Sequence, residues 1–263
     1  MRSPRAAASA LLLAGLGIPC LAADQAAPTG RSDAAWLREK GTPIFADSFD
    51  REEDGNLAKA IGNGWNSATA DRVPDVKQAD LDAGVLKVTV DQRAGHGAHI
   101  HHDAGFEDGG AIVRFRLPGL SKGESLSVGF VDRETSKAAA GHLCYAIVNG
   151  GNPATIKLLD RKTGYSDPEV MKRRSPYLAR KEPLPADLEA FLATKMKDVP
   201  WEGGTEWHEL VLVTEGDEMR VTIDGTPVGS HRSEGFAHPM KRWFSLGIGS
   251  TAWVDDVKVY RVK

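Results

Sequence analysis

The chain is poor in cysteine, in excess basic charge and in long apolar runs, and each shortage narrows the field. Its 263 residues hold two cysteines, Cys20 and Cys144. Cys20 falls in the N-terminal leader described below, so the mature chain keeps one thiol and has no intramolecular disulfide. Cys144 lies in the apolar run Leu143-Cys144-Tyr145-Ala146-Ile147-Val148, where a thiol packs as a small hydrophobe rather than serving as a nucleophile. Lys and Arg number 33 against 36 Asp and Glu, a formal charge of -3. That balance excludes the basic field of a nucleic-acid binder. Beyond the leader, no segment is apolar enough to span a bilayer, and no repeat of fixed period is present.

The first 23 residues read as a secretory signal. Arg2 and Arg5 form a basic start, Ala6 to Ile18 is uncharged and apolar, and Pro19 ends it ahead of Cys20-Leu21-Ala22-Ala23. Small residues there suit cleavage after Ala22 or Ala23. Loss of Arg2 and Arg5 leaves 31 basic residues against 36 acidic ones, moving the charge from -3 to -5. A secreted or periplasmic protein is expected. Residues 24–43 read as an Ala/Pro/Gly-rich linker, with a helical turn at Ala34–Arg38, and the domain as residues 44–263.

What is present is a train of short strands with explicit turns. Apolar alternation of period two predicts strands at Val85–Val90, Ala98–His102, Ala111–Leu117, Ser125–Val131, His142–Val148 and Thr155–Asp160. A C-terminal series runs from Trp207 to the closing strand around Trp253–Tyr260. Asp224-Gly225 between Val221-Thr222-Ile223 and Thr226-Pro227-Val228 suits a type I′ hairpin, which needs positive φ at both central residues. Pro227 has no N–H to donate, which places its strand at a sheet edge. About a dozen such strands predict an all-β antiparallel sandwich with one short helical insertion. That insertion spans about 161–206. It carries a helix candidate at Ala186–Lys195 between Pro185 and Pro200, and a charge run, Lys172-Arg173-Arg174, read as solvated.

Several short motifs follow one another in a consistent order. They are Asp47-Ser48-Phe49-Asp50 with Gly64-Trp65, Asp82-Ala83-Gly84-Val85-Leu86, Gly141-His142, Trp207-His208-Glu209-Leu210, Asp224-Gly225 and Val254-Asp255-Asp256-Val257. Together they resemble concanavalin A-like jelly-roll domains of the laminin-G-like kind. The chain is similar to secreted bacterial proteins described as family 16 glycoside hydrolase-like or 3-keto-disaccharide hydrolase-like, over roughly Ile44 to Val262. The resemblance implies a jelly roll that engages carbohydrate. It does not extend to the catalytic motifs. The Glu-x-Asp-x-x-Glu strand of family 16 glycosidases does not occur, nor do the Asn-Ser-Gly and Glu-x-Gln strands of the other group. Carboxylates at the closing strand, Asp255 and Asp256, opposite Asp47, are compatible with a structural Ca²⁺ or with simple edge solubility.

Strand alternation also sorts polar residues by face. With Ile100 inward, His99 and His101 point out. Inward Val113 and Phe115 send Arg114 and Arg116 out. Inward Leu143 and Tyr145 send His142 out, and inward Ile156 and Leu158 do the same for Lys157. On a single sheet these six would make a cationic, His-rich face, suited to an anionic sugar or to acid–base chemistry near neutral pH. His101 and His142 are the catalytic candidates. His99, Arg114, Arg116 and Lys157 are ligand-binding candidates, joined from a rim turn by His238 and Lys241. His99-x-His101 with His142 is also a weak metal-ligand pattern, and no cofactor is identified. His208 reads as a structural hydrogen-bonding residue. Two functions stand side by side: a glycan-active protein, and a non-catalytic carbohydrate-binding or envelope-associated structural module.

Overall fold

The structure is a computed structural model that describes residues 32–53, 61–67, 72–132 and 141–263. The leader and residues 24–31 of the linker lie outside the described residues. Two antiparallel sheets face each other. Sheet A contains β1 (Thr42–Asp47), β3 (Ala79–Asp82), β4 (Val85–Thr89), β6 (Gly109–Arg116), β11 (His208–Glu215), β12 (Glu218–Ile223), β13 (Thr226–Arg232) and β15 (Thr251–Arg261). Its order is β13-β12-β11-β6-β15-β4-β3, with β1 also paired to β15. Sheet B contains β2 (Asn66–Ser67), β5 (Ala98–Phe106), β7 (Ser125–Val131), β8 (His142–Asn149), β9 (Ala154–Asp160), β10 (Met196–Trp201) and β14 (Lys241–Ile248), in the order β10-β9-β8-β7-β14-β5-β2. The arrangement is a jelly-roll β-sandwich. No helix among the described residues is long and apolar enough to cross a membrane.

The core is what alternation predicts. Leu86, Val113, Phe115, Leu212, Val221 and Val257 of sheet A meet Ile100, Val128, Phe130, Ala146, Ile156, Phe244 and Leu246 of sheet B, all buried. Cys144 is part of this core, and burial pushes its thiol pKa up to about 12. Helix α1 (Asp33–Lys40) covers one part of sheet A's outer face. Its Ala34 and Leu37 pack on Ile112, Val211, Val213 and Tyr260.

The turns follow their residue types. Asp224 and Gly225 have φ of 51° and 75°, the positive pair a type I′ hairpin requires. The Asp224 carboxylate also clasps β11, accepting from Glu209 N at 2.8 Å and lying 2.7 Å from His208 Nδ1. Strand β13, which holds Pro227, is the edge of sheet A. The 161–206 excursion is richer than its sequence suggests. It holds helices α2 (Pro168–Arg180) and α3 (Ala186–Ala193), and it returns as β10, an edge strand of sheet B paired with β9. Helix α2 was not expected, because Pro176 interrupts the pattern. It is N-capped by Asp167, which accepts from Glu169 N and Val170 N at 3.0 Å each.

Asp47 fastens the start of the domain. Its carboxylate accepts from Arg51 at 2.6 Å, Trp65 Nε1 at 2.7 Å, Phe49 N at 2.8 Å and Asn63 at 3.0 Å. These donors, with Asp255 turned to Arg114 and Asp256 to Lys258, give separate protein partners to the three carboxylates that the sequence leaves open between a Ca²⁺ site and edge solubility. Burial alone would raise the Asp47 pKa; the hydrogen bonds outweigh it and hold the carboxyl below its ordinary value.

Asp47 titrates lower folded than unfolded, so its contribution to stability is complete above pH about 4 and is lost as pH falls toward the depressed folded value. Asp47→Asn should cost about 1–3 kcal/mol at neutral pH and flatten the acid limb of a denaturation series; an unchanged acid limb counts against the assignment. Gly225→Val places a β-branched residue at positive φ and should cost about 1–3 kcal/mol, and an unaltered Tm would contradict the hairpin geometry.

Candidate functional site

The outer face of sheet B is built by register. One row runs Asn66, His101, Ser245, Gly129, Tyr145, Leu159, Met196 from β2 to β10. The next runs His99, Gly247, Ser127, Ile147, Lys157, Asp198. His99, His101 and Lys157 therefore share one face, as their alternation predicts; His142 joins them, its ring 5.9 Å from that of His99, although Tyr145, which the sequence pattern turns inward together with Leu143, points out as well.

Two glycines set the geometry of the middle of this face. A Cβ on Gly129 would lie 2.5 Å from Tyr145 Cδ1 and 2.1 Å from Cys144 O, so the Tyr145 ring lies directly over the bare backbone of β7. A Cβ on Gly247 would lie 3.2 Å from His99 Cε1 and 3.2 Å from Ser127 Cβ, so His99 leans across β14. Strands β8 and β5 are three spacings apart, about 14 Å. Yet the His99 and His142 rings approach to 5.9 Å, because their side chains reach across positions that carry no bulk.

His142 Nδ1 lies 2.5 Å from the Tyr145 hydroxyl. His142 is half-buried, whereas Tyr145 is only 3% exposed. The phenol thus orients the imidazole and leaves His142 as the more accessible group. His96 adds a third ring 5.3 Å from His99. His101 takes a different role, stacking on Trp243 at 4.8 Å and 24°. Among the described residues, no three His, Cys, Asp or Glu side chains are grouped to hold a metal ion.

Several candidate residues lie elsewhere. Arg114 and Arg116 do point outward, but from the other sheet: β6 pairs with β11 and β15. Their guanidiniums lie over Trp207 and Trp253, at 4.9 and 5.0 Å from the ring centroids, and Arg114 is ion-paired with Asp255. Lys241 is not at a rim. It is fully buried at the start of β14, donating to the carbonyls of Glu107 and His238, and burial lowers its pKa. His238 does lie in a loop, but its Nε2 is 2.8 Å from Asp132 Oδ2, a carboxylate that also accepts from Arg242 at 2.6 Å. Lys157 stands four strand spacings from His99, about 19 Å, beside Asp198 at 3.6 Å. Sequence reasoning missed Tyr145, which alternation had assigned to the core. An irregularity in the pairing of β7 with β8 between Phe130 and Val131 lets Leu143 and Cys144 both turn inward and sends Tyr145 out.

No family model matches the chain, and no curated protein matches it in sequence. Solved structures do match its fold. SCLam, a non-specific endo-β-1,3(4)-glucanase of glycoside hydrolase family 16, superposes with a TM-score of 0.53 at 14% identity, over 85% of this chain and 92% of the glucanase. The laminarinase catalytic domain from Thermotoga maritima gives 0.53 at 13%, over 84% and 98%. LamAcat from Zobellia galactanivorans gives 0.51 at 13%, over 86% and 100%. The fold is thus a family 16-like, concanavalin A-like jelly roll.

The unequal clearances at the two glycines make a prediction. Gly129→Ala must displace backbone, whereas Gly247→Ala asks only a few tenths of an ångström of His99 and Ser127. The first should cost about 1–3 kcal/mol in chemical denaturation and the second clearly less. Equal costs would mean that the Tyr145 ring does not lie on β7.

Proposed function

We propose that the protein engages carbohydrate across the outer face of sheet B, in a secreted or periplasmic setting, and that His142 is its general acid–base group. The observation that carries this is the 2.5 Å contact between His142 Nδ1 and the Tyr145 hydroxyl, with the His99 ring 5.9 Å away. A hydrogen bond at Nδ1 fixes the ring, and an imidazole held in this way is a proton-transfer group suited to near-neutral pH. Support for a sugar comes from the fold: a glutamate-to-serine mutant of the family 16 glucanase SCLam was crystallised with 1,3-β-D-cellobiosyl-glucose at its active site.

The chemistry differs from that of a two-carboxylate glycosidase, which places its carboxyl groups about 5–5.5 Å apart when retaining. The outward positions of the central strands are Ser125, Ser127, Gly129 and Val131 on β7, Trp243, Ser245 and Gly247 on β14, and His142, Tyr145, Ile147 and Asn149 on β8. None is acidic. Proton transfer there falls to histidine, with Tyr145 as the positioning residue. One observation favours a second reading, a non-catalytic binding module. The stacked His101–Trp243 pair is a flat amphipathic platform of the kind that packs on a sugar ring.

The test is turnover of a panel of oligosaccharides by the purified protein, read beside binding. His142→Ala should cut the rate by about 10²–10⁴-fold with folding and binding intact. Tyr145→Phe should instead move the acid limb of the pH–rate profile. A wild-type protein that binds sugar, loses binding in Trp243→Ala and releases no product would establish the binding module and reject the catalytic role of His142.

A further inference from the structure

Beside the histidine cluster, sheet B and the excursion enclose a cleft of about 250 Å³. Lys157, Arg161, Arg174 and Tyr165 wall it, over apolar side chains that include Ile147 and Leu159. Arg161 follows β9 and continues its outward row, two positions beyond Leu159, which pairs with Tyr145 on the neighbouring strand. Arg174 reaches the cleft from α2.

Among the described residues the two guanidiniums lack a counter-charge. Arg161 donates to Ser166 Oγ at 3.2 Å. Arg174 donates to the Tyr165 carbonyl at 3.3 Å and lies 4.4 Å from the Tyr165 ring centroid, while its Nε is buried without a hydrogen-bond partner among the described residues. Neither arginine forms an ion pair among the described residues, and the carboxylates around them are committed elsewhere. Asp160 accepts from Thr163, Ser233 and Gly235 on the core side. Asp167 caps α2, and the exposed Asp198 faces Lys157. Burial, and the like charge of Arg174, both work against the charged form of Arg161. Partly buried guanidiniums left unpaired are costly, and a planar fork of N–H donors matches an oxyanion.

We infer that this cleft is a subsite for an anionic group carried by a sugar, gripped by Arg161 and Arg174 with Lys157 at the rim. The inference rests on the carbohydrate reading of the adjoining face and narrows it to acidic glycans. The shared chemistry is an oxyanion on a pyranose, supplied either by a uronate carboxylate or by a sulfate ester. The apolar side chains lining the cleft take the ring carbons, and the neighbouring sugar of the chain would lie toward Tyr145, two residues along β8 from Ile147 of the lining.

Calorimetric titration of the purified protein with trigalacturonate, a monosulfated galactose trisaccharide and neutral laminaritriose tests this. At least one acidic ligand should bind ten-fold or more tighter than laminaritriose, and added salt should weaken that binding selectively. Which acidic ligand wins identifies the oxyanion. Arg174→Gln should abolish the preference, Arg174→Lys should restore part of it, and Arg173→Gln, on the same helix but paired with Asp187, should leave it intact; thermal melts confirm that each variant is folded. Equal binding of all three sugars, or an acidic preference indifferent to Arg174→Gln and Arg161→Gln, overturns the subsite and leaves the carbohydrate reading standing. No binding of any sugar overturns both. Inorganic sulfate that binds as tightly as the sulfated trisaccharide and displaces it completely would show an anion site with no glycan component, and would also reject the inference.

Discussion

Asp160 is fully buried at the end of β9, and its carboxylate ties together three parts of the chain. It accepts from Thr163 N at 3.0 Å and Thr163 Oγ1 at 2.6 Å, from Ser233 Oγ at 2.5 Å and from Gly235 N at 3.1 Å. A Cβ at Gly235 would lie 2.1 Å from Asp160 Oδ1, so this approach requires glycine. A buried carboxylate is tolerated only when its lone pairs are filled in this way. The consequence is directional. Because Asp160 points into the sandwich, Arg161 points out, and because Thr163 is held to Asp160, the chain turns at once toward α2. The cationic cleft is thus a by-product of how one buried charge is satisfied.

The same logic separates the two outer faces. Sheet A spends its outer surface on α1 and on Arg–Trp stacking, with Arg220 set over Trp36 at 5.5 Å and bonded to Asp33 at 3.1 Å. Stacking of guanidinium on indole satisfies both partners internally. Sheet B has no such cover over β14 and β7 from the described residues. Small residues there (Ser127, Gly129, Ser245, Gly247) lower the floor, and larger rings lean in from β5 and β8. The rings bury that floor, with Gly129, Ser245 and Gly247 all covered, so what this part of the face presents outward is the rings themselves.

Much of the fold was legible because it is local. Strand period, the Asp224-Gly225 turn and the edge position of Pro227 depend on residues within a few positions of one another, and each matches the structure. Face assignment within a strand was legible for the same reason wherever the pairing is regular. Which sheet a strand joins was not. Arg114 and His99 have the same alternation, yet β6 pairs with β11 and β15 whereas β5 pairs with β14 and β2. That choice is made largely by partners far away in the chain. Lys241 could not be read as buried, since what shelters its ammonium is a pair of backbone carbonyls, which leave no mark in a sequence. Tyr145 was misplaced by a single irregularity in pairing, which flips every later assignment on a strand. Arg174 looked like one of three solvated cations because the helix that aims it contains Pro176.

The candidate chemistry depends on charge balance across one face. A carboxylate pair on β7 or β8, as a glycosidase requires, would stand beside Arg161. It would supply the guanidiniums with an internal counter-ion, and a ligand anion would then compete with a fixed one. With Ser127 and Gly129 in the centre instead, the proposed reading leaves the cations to take an oxyanion and gives proton transfer to the imidazoles and the phenol, with the outward carboxylates Asp103 and Asp198 set apart on β5 and β10. These two properties suit each other. Histidine works near neutrality without adding negative charge in either of its states, so it can act beside a bound anion without repelling it. In the proposed reading, the exchange of carboxylates for histidines and the change in the charge of what is bound therefore go together, as properties of the site and not of the fold.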